Sequence, residues 1–176
     1  MHQELLIAGH KIGGPCDSSV GKETVKNPDT GRIFATVAEG GRSELSTAIA
    51  AAHDAFDTWR KSSLADRVSL LLRIAELVRE RRKELAELAV QEIGKPITAA
   101  LAEVDRMEIT FRLAAKELED HPDEWGPAGT SVDLSLDPRG SGYSARVVRK
   151  PLGVILAITP YNWPYNLAAH KIAPAL

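Results

Sequence analysis

The sequence predicts an α/β fold, and three observations carry the prediction. Short extended segments broken by turns occupy residues 1–41, and long amphipathic helical patterns follow between residues 43 and 118. A continuous apolar run then covers residues 152–158. Such a run is typical of a strand that is covered on both faces, as in a parallel sheet. The 176 residues suffice for one hydrophobic core.

Composition excludes several classes of protein. Hydrophobic residues make up 44% of the chain and charged residues 26%, which are ordinary values for a globular domain and exclude disordered and fibrous proteins. With 22 Lys and Arg against 24 Asp and Glu, the net charge is -2. No basic cluster predicts binding to nucleic acid or to a membrane surface. We therefore expect neither partner.

Cysteine, histidine and the apolar runs limit the compartment and the metal chemistry. Cys16 is the single cysteine, so an internal disulfide and a cysteine-based zinc site are excluded. The five histidines include no pair at ligand spacing within one helical turn, and no metal is expected. The N-terminus does not resemble a secretory signal, and no apolar stretch is long enough for a membrane span. A cytoplasmic location is expected.

The N-terminal segment predicts a turn followed by a strand. At residues 27–31, Pro28 presets φ and Gly31 accepts a positive φ, which is the chemistry of a tight turn. Residues 32–37 after it predict a strand. The pattern then becomes helical from residue 43 to residue 59, with one apolar face formed by Leu45, Ala48, Ile49, Ala52 and Phe56.

Two further helices are predicted. Ser63 and Asp66 form a capping-box pattern at the start of the second helix, and apolar residues then recur in steps of three and four up to residue 89. About 30 residues in one helix make a rod of roughly 45 Å. Gly94 and Pro96 end it. The third helix covers residues 97–118 and buries Leu101, Val104, Met107, Phe111, Ala114 and Leu118.

Residues 122–148 predict a hairpin. Val132, Leu134 and Leu136 alternate with polar residues, and residues 143–149 alternate as well. Two alternating strands joined by a loop that contains Pro138 pair naturally in a ribbon outside the helical core. The edges of such a ribbon are suited to contact with another subunit.

The loop after residue 158 is the candidate for chemistry. In open α/β sheets ligands bind at the carboxyl ends of strands. Pro160 and Pro164 restrict the residues that precede them, so the loop is stiff. Between them, Asn162 carries an amide that can donate to an oxygen on which negative charge develops. The same amide could instead shape the turn or cap the helix predicted over residues 166–176, and the residues alone favour that structural role.

The segment 149–176, RKPLGVILAITPYNWPYNLAAHKIAPAL, closely resembles the aldehyde dehydrogenase superfamily. Supporting matches are Asn27-Pro28 with Thr30-Gly31, Arg67 in the second helix, and the segment EIGKP at residues 92–96, followed by Ala100 and Glu103. The resemblance covers nearly the whole chain, more loosely over residues 1–25 and 120–145. The motif around Asn162 is highly specific, and the helical motifs support it.

The resemblance implies an aldehyde dehydrogenase-like α/β fold. The chain would supply the N-terminal part of a Rossmann-like NAD(P)-binding domain with long helices and a β-hairpin oligomerisation arm. Residues 1–121 would be its N-terminal strands and helices, and residues 122–148 the oligomerisation hairpin. Residues 149–176 would be the first strand, the Asn loop and the start of a helix of the incomplete dinucleotide-binding sheet. A homodimer or homotetramer is implied for the full-length protein.

The resemblance also implies site residues. Asn162 would be catalytic, since its side chain stabilises the tetrahedral thiohemiacetal in this family. Ile158, Thr159, Pro160 and Tyr161, together with Asn162, would bind the cofactor, NAD or NADP. Tyr161 stands where tryptophan is usual, and Trp163 where phenylalanine or tyrosine is usual. Both keep an aromatic ring, so the resemblance implies that the site is retained and leaves the shape of the substrate channel open. Glu103 matches a family glutamate with a structural role.

The family reaction oxidises an aldehyde to a carboxylic acid, with small polar aldehydes such as lactaldehyde or glyceraldehyde 3-phosphate favoured here. Its cysteine nucleophile, its glutamate base, and the lysine and glycine-turn motif for the cofactor lie downstream of position 176, and Cys16 matches no catalytic position. We therefore expect the isolated chain to be inactive, poorly folded over residues 150–176, and to expose the apolar side chains of 152–158. The alternatives are a catalytically dead truncated homologue acting as a subunit-interaction module, and an unrelated helical adaptor.

Overall fold

The computed structural model describes residues 1–14, 19–125, 131–134 and 145–176. Short strands precede the long helices, as the sequence predicts, and two more strands lie before the C-terminal helix. The strands are β1 His2–Gln3, β2 Leu5–Ile7, β3 His10–Ile12, β4 Gly21–Lys26, β5 Ile33–Glu39, β6 Ser131–Leu134 and β7 Ala145–Val148. The helices are α1 Arg42–Trp59, α2 Leu64–Glu80, α3 Arg82–Ile93, α4 Ile97–Asp120, α5 Pro122–Trp125 and α6 Pro164–Ile172, which continues as a 3-10 turn over Ala173–Ala175.

The N-terminal strands form two small sheets. In one, β5 is the central strand, with β1 parallel to it on one side and β4 antiparallel on the other. The predicted turn joins β4 to β5: the side-chain oxygen of Asn27 accepts hydrogen bonds from the backbone N–H groups of Asp29 and Thr30, both at 3.0 Å. Gly31 has a φ of +67°, which confirms the predicted turn.

The core lies where α2, α3 and α6 pack on α4. One cluster joins α2, α4 and α6 through Leu71, Ala75, Phe111, Ala115, Ala169 and Ala173. A second joins α2, α3 and α4 through Val78, Ala86, Ala89, Ala100 and Val104. Most of these side chains are alanine, so the helix backbones approach closely. The buried face predicted for residues 97–118 is confirmed for Val104 and Phe111.

The predicted capping box is present at the start of α2. The hydroxyl of Ser63 accepts a hydrogen bond of 3.1 Å from the backbone N–H of Asp66, and the Asp66 carboxylate accepts one of 3.2 Å from the backbone N–H of Ser63. The hydrogen bonds from Ser63 lower the pKa of the Asp66 carboxyl. Two otherwise unpaired N–H groups of the helix start are thereby satisfied.

The predicted single rod over residues 64–93 is wrong, because the helix breaks at Arg81. The backbone there has φ -97° and ψ 15°, which separates α2 from α3. Both segments pack on α4, α2 through Leu71 and Ala75 and α3 through Ala86 and Ala89. An apolar repeat survives a one-residue change of backbone direction, so spacing alone does not reveal the break.

The apolar face predicted for α1 is largely exposed, with Ala48 and Phe56 only partly buried. Leu45 is 56% accessible and Ile49 is 52% accessible, and α1 buries none of its residues within the described parts of the chain. The repeat identifies which face of the helix is apolar. It carries no information about what covers that face.

Residues 152–158 do not form the predicted strand. None of the described strands pairs with this segment, and Leu152 is 91% accessible. The expected exposure of its apolar side chains is confirmed. A strand needs a partner for its backbone ladder, and no described segment supplies one. Helix α6 buries Ala169 and Ala173 against α4, and the expected poor folding of residues 150–176 in the isolated chain stays a prediction.

The predicted hairpin is present. Strands β6 and β7 pair antiparallel, with Ser131 opposite Val148 and Leu134 opposite Ala145. Leu136 and Pro138 lie outside the described residues. Contact between the β6–β7 hairpin and another subunit stays a prediction. Across the described ranges, no helix has the length and apolarity needed to cross a membrane.

Gly94, which ends α3, supports a stability prediction. It has a φ of +68°, and a Cβ there would lie 2.9 Å from Cγ of Pro28 in the N-terminal turn. We expect Gly94→Ala to lower the free energy of unfolding by more than the roughly 1–2 kcal/mol of left-handed strain alone. Gly31→Ala is the control, because its φ is +67° and nothing lies within 4 Å of the added Cβ. Equal losses in urea denaturation would show that Pro28 tolerates the methyl group.

Candidate functional site

The candidate loop is an exposed segment that leads into α6. Ile158, Thr159, Pro160, Tyr161 and Asn162 follow one another along it, and all are exposed. Among the described residues, the side-chain amide of Asn162 has no hydrogen-bond partner, whereas its backbone carbonyl accepts a bond of 3.2 Å from Nζ of Lys95. The backbone of Asn162 is held while its amide is free.

Asn162 does not cap the following helix. Helix α6 begins at Pro164, a residue suited to the first helical position because its missing N–H is not needed there. The N-cap position belongs to Trp163, which makes no side-chain capping bond. The structure therefore removes the capping role that was an alternative for Asn162.

Glu103 performs the capping from another helix. Its Oε1 accepts hydrogen bonds from the backbone N–H groups of Tyr165 at 2.9 Å and Asn166 at 3.2 Å. The side chain of Glu103 projects from α4 and is fully buried. A carboxylate at a helix N-terminus is stabilised both by these bonds and by the helix dipole. The structural role implied for Glu103 is thus the capping of α6.

Lys95 neutralises the buried carboxylate. Its Nζ forms an ion pair with Oε2 of Glu103, and the side chain of Lys95 is only 9% exposed. The same ammonium lies 3.8 Å from the ring centroid of Trp163, in a cation–π contact. A buried charge pair of this kind is tolerated only when its remaining hydrogen-bonding capacity is satisfied. Here the Asn162 carbonyl accepts from Lys95, and the N–H groups of Tyr165 and Asn166 in α6 donate to Glu103.

The contact between Lys95 and the Asn162 loop was not predicted from the sequence. One signal was present: Glu103 lies among the apolar positions Ala100, Val104 and Met107 of α4. A glutamate on a buried helix face needs a cationic or N–H partner. Lys95, which precedes α4, is a cation near enough in sequence to be that partner.

Tyr165 attaches α6 to α3. Its hydroxyl donates a hydrogen bond of 2.9 Å to the backbone carbonyl of Leu85. Burial, reinforced by the nearby carboxylates of Glu92, Glu103 and Glu84, raises the pKa of Tyr165 to about 12. The neighbouring Asn166 is buried, and its side-chain oxygen has no partner among the described residues.

The raised pKa of Tyr165 predicts a pH-dependent stability. The pKa in the folded chain, about 12, exceeds the ordinary value of 10.0, so the neutral phenol favours the folded state. This contribution is complete below pH 10 and is lost as pH rises through 12. We expect Tyr165→Phe to be less stable than wild type near neutral pH, with the difference shrinking in that alkaline window. The midpoint of urea denaturation, measured for both proteins as a function of pH, gives this difference. Ionisation of Tyr165 near pH 10 in the folded chain would contradict the prediction.

The residues predicted to bind a cofactor are contiguous, but the described residues do not enclose them in a cavity. Their role stays a prediction, as does the catalytic role of Asn162. Cys16 lies outside the described residues. In the parts of the chain that are described, no group of three or more His, Cys, Asp or Glu side chains is arranged to hold a metal ion.

Comparison with known proteins places this geometry in context. The sequence model of the protein family described as "Aldehyde dehydrogenase family" matches residues 16–176. The 4-trimethylaminobutyraldehyde dehydrogenase of Oryzias latipes is 36% identical over 169 residues, which cover 96% of this chain and 31% of that protein. The lactaldehyde dehydrogenase of Methanocaldococcus jannaschii is 36% identical over 152 residues, covering 86% of this chain and 30% of that protein.

Solved structures of aldehyde dehydrogenases are also similar to this chain. The NADP-dependent glyceraldehyde-3-phosphate dehydrogenase from Bacillus halodurans C-125, complexed with NADP, superposes with a TM-score of 0.85 and 32% identity. The match covers 100% of this chain and 35% of that structure. The chain therefore spans about a third of the length of these relatives.

Proposed function

The chain belongs to the aldehyde dehydrogenase family, and from that premise we propose that it supplies the oxyanion asparagine and part of the cofactor site of an NAD(P)-dependent aldehyde dehydrogenase. The observation that carries the proposal is the state of Asn162. Its amide forms no capping hydrogen bond, because Glu103 caps α6, and its backbone carbonyl accepts a hydrogen bond from Lys95. The amide is thus an uncommitted donor on a restrained backbone, and such a donor can serve an oxygen on which negative charge develops.

The proposed reaction begins with attack of a cysteine thiolate on the aldehyde carbon. The carbonyl oxygen then becomes an oxyanion, and the amide N–H of Asn162 donates to it. NAD(P)+, held in part by residues 158–162, would supply the hydride acceptor, and water would then release the acid from the thioester. The thiolate and the base come from residues outside 1–176 in this proposal, because the chain spans 31% of the first relative. In this proposal, residues 1–176 contribute the hydrogen bond from Asn162 to the oxyanion and the contacts with one side of the cofactor.

Residues 158–161 fit one wall of a dinucleotide site. Ile158 presents an exposed apolar side chain, and Tyr161 presents an exposed ring. Thr159 presents an exposed hydroxyl, and the described residues form no backbone ladder along this segment. Its C=O groups and the N–H groups of Ile158, Thr159 and Tyr161 are therefore available. We propose that Ile158, Thr159, Pro160, Tyr161 and Asn162 contact NAD or NADP. Relatives crystallised with NADP and with NAD+ support either cofactor.

The substrate class proposed is a small polar aldehyde. The similar proteins include a lactaldehyde dehydrogenase and a glyceraldehyde-3-phosphate dehydrogenase. Both names denote a short aldehyde with a neighbouring hydroxyl group. A substrate of this kind leaves room for the aromatic side chains of Tyr161 and Trp163 beside Asn162.

The remaining proposals concern organisation and location. We propose that residues 1–121 and 149–176 contribute to the NAD(P)-binding domain, and that the β6–β7 hairpin within 122–148 is an oligomerisation arm of a homodimer or homotetramer. The antiparallel pairing of β6 with β7 supports the arm. The formal charge of -2 supports the absence of nucleic-acid and membrane partners. A cytoplasmic location is proposed.

The native gene product tests the function. Its intact mass is measured first, and the purified product is then assayed with lactaldehyde and glyceraldehyde 3-phosphate in the presence of NAD+ or NADP+, beside residues 1–176 alone. We expect a product heavier than 19.1 kDa that forms one NAD(P)H per acid, and no turnover by the isolated chain. A product of 19.1 kDa without activity would instead indicate a catalytically dead subunit-interaction module.

A further inference from the structure

We propose that Lys95 is a positioning residue for Asn162: it restrains the backbone from which the side-chain amide projects, and so limits the positions that the amide can reach. The inference rests on the proposed oxyanion role of Asn162. Lys95 precedes α4 and lies 67 residues before Asn162 in sequence, yet its ammonium contacts the Asn162 carbonyl at 3.2 Å. It reaches neither the side-chain amide nor, in this proposal, the substrate, so its effect passes through the backbone.

The ammonium of Lys95 is fully engaged. It pairs with Oε2 of Glu103, donates to the carbonyl of Asn162 and lies 3.8 Å from the ring centroid of Trp163. An ammonium has three N–H donors on a compact charge. Because the side chain is 9% exposed, little water competes for them. Lys95 thus joins α4 to two consecutive residues of the loop.

Glu103 fixes the other end of the same segment. While Oε2 faces Lys95, Oε1 accepts from the N–H groups of Tyr165 and Asn166. One carboxylate therefore links the start of α6 to the cation that holds Asn162. Between these anchors, Pro164 has a fixed φ. The backbone of residues 162–166 is restrained at both ends, which leaves Asn162 mainly its own side-chain torsions.

Such restraint matters for catalysis because donor position is demanding. A misplacement of about 1 Å at a catalytic centre is associated with a rate loss of about 10²-fold. The amide of Asn162 is exposed and makes no hydrogen bond among the described residues, so no side-chain contact of its own orients it. Lys95 and Glu103 act on the backbone around Asn162, and through it they limit where the amide can be placed.

Two variants separate positioning from simple stability. Lys95→Met leaves the Glu103 carboxylate buried without its cation, which destabilises the fold. The double variant Lys95→Met/Glu103→Gln removes both charges and keeps a glutamine oxygen for the N–H groups of Tyr165 and Asn166. We expect the double variant to fold, although nothing at position 95 then donates to the Asn162 carbonyl or places a cation over the Trp163 ring.

The first readout needs no enzyme activity. In residues 1–176 with Trp59 and Trp125 replaced by phenylalanine, Trp163 is the remaining tryptophan. Time-resolved fluorescence anisotropy then reports its local motion, and we expect the fast component to grow in the double variant. Arg82→Met/Asp105→Asn is the matched control, since Arg82 and Asp105 also link α3 to α4 but make no contact with the loop. We expect the control to behave as the parent chain.

The second readout is the kinetics of the native gene product. We expect the double variant to lower kcat about 10²-fold, with a smaller change in the KM for the aldehyde, and the control pair to change neither. Unchanged Trp163 anisotropy, or increased motion with unchanged kcat, would overturn the positioning role. If the wild-type product oxidises no aldehyde, the proposed function fails, and the anisotropy still decides whether Lys95 restrains the loop.

Discussion

Replacing Asn162 with alanine is expected to lower kcat for aldehyde oxidation by about 10²–10³-fold in the native gene product, a loss of about 3 kcal/mol in transition-state stabilisation. The reason is the removal of an N–H donor at the oxygen on which charge develops. The ground-state carbonyl carries less charge, so the KM for the aldehyde should change much less than kcat. Steady-state kinetics with a saturating cofactor measures both values.

Two further variants make the result specific to the amide. Asn162→Asp has nearly the same shape but places a carboxylate beside the oxyanion, and we expect it to be at least as damaging as alanine. Glu119→Gln, an exposed change near the end of α4, is the control and should leave kcat unchanged. A wild-type kcat in Asn162→Ala would show that the oxyanion is stabilised elsewhere and that Asn162 only shapes the loop.

Replacing Phe111 with alanine is expected to lower the free energy of unfolding of the chain by about 3–5 kcal/mol. Phe111 is 2% exposed and lies in the cluster that joins α2, α4 and α6. Its neighbours there include Ala115 and Ala169, whose small side chains cannot extend into the space that the ring leaves. The cavity therefore stays, and its cost adds to the lost burial.

Leu113→Ala is the matched control for Phe111→Ala. Leu113 lies on the same helix but is 60% exposed, so its truncation should change stability by no more than about 0.5 kcal/mol. Urea denaturation followed by circular dichroism measures both variants. Since α6 follows the Asn162 loop directly, Phe111→Ala should also weaken the attachment of that loop. Equal effects of the two truncations would refute the assigned core.

Local chemistry in the sequence was sufficient for several elements. The turn at residues 27–31 needs only an asparagine, a proline and a glycine, and the capping box of α2 needs only Ser63 and Asp66. In each case the interacting groups are near neighbours along the chain, so residue type and spacing determine the outcome. The specific motif around Asn162 likewise identified the family before any fold was known.

Long-range contacts decided the rest. The break at Arg81, the exposure of the α1 face and the unpaired segment 152–158 depend on what lies opposite each element. An apolar repeat does not encode its own partner. The role of Asn162 could not be predicted for the same reason. Whether its amide caps α6 depends on the carboxylate of Glu103, which lies 59 residues earlier in the sequence.

The sequence by itself determined the family, the helices and strands of local origin, and the position of the candidate asparagine. Only the tertiary structure showed that Glu103 caps α6 and that Lys95 holds the Asn162 carbonyl. The physical reason is that both are contacts of buried charges. A buried carboxylate and a buried ammonium need partners wherever the fold places them, and those partners are distant in sequence.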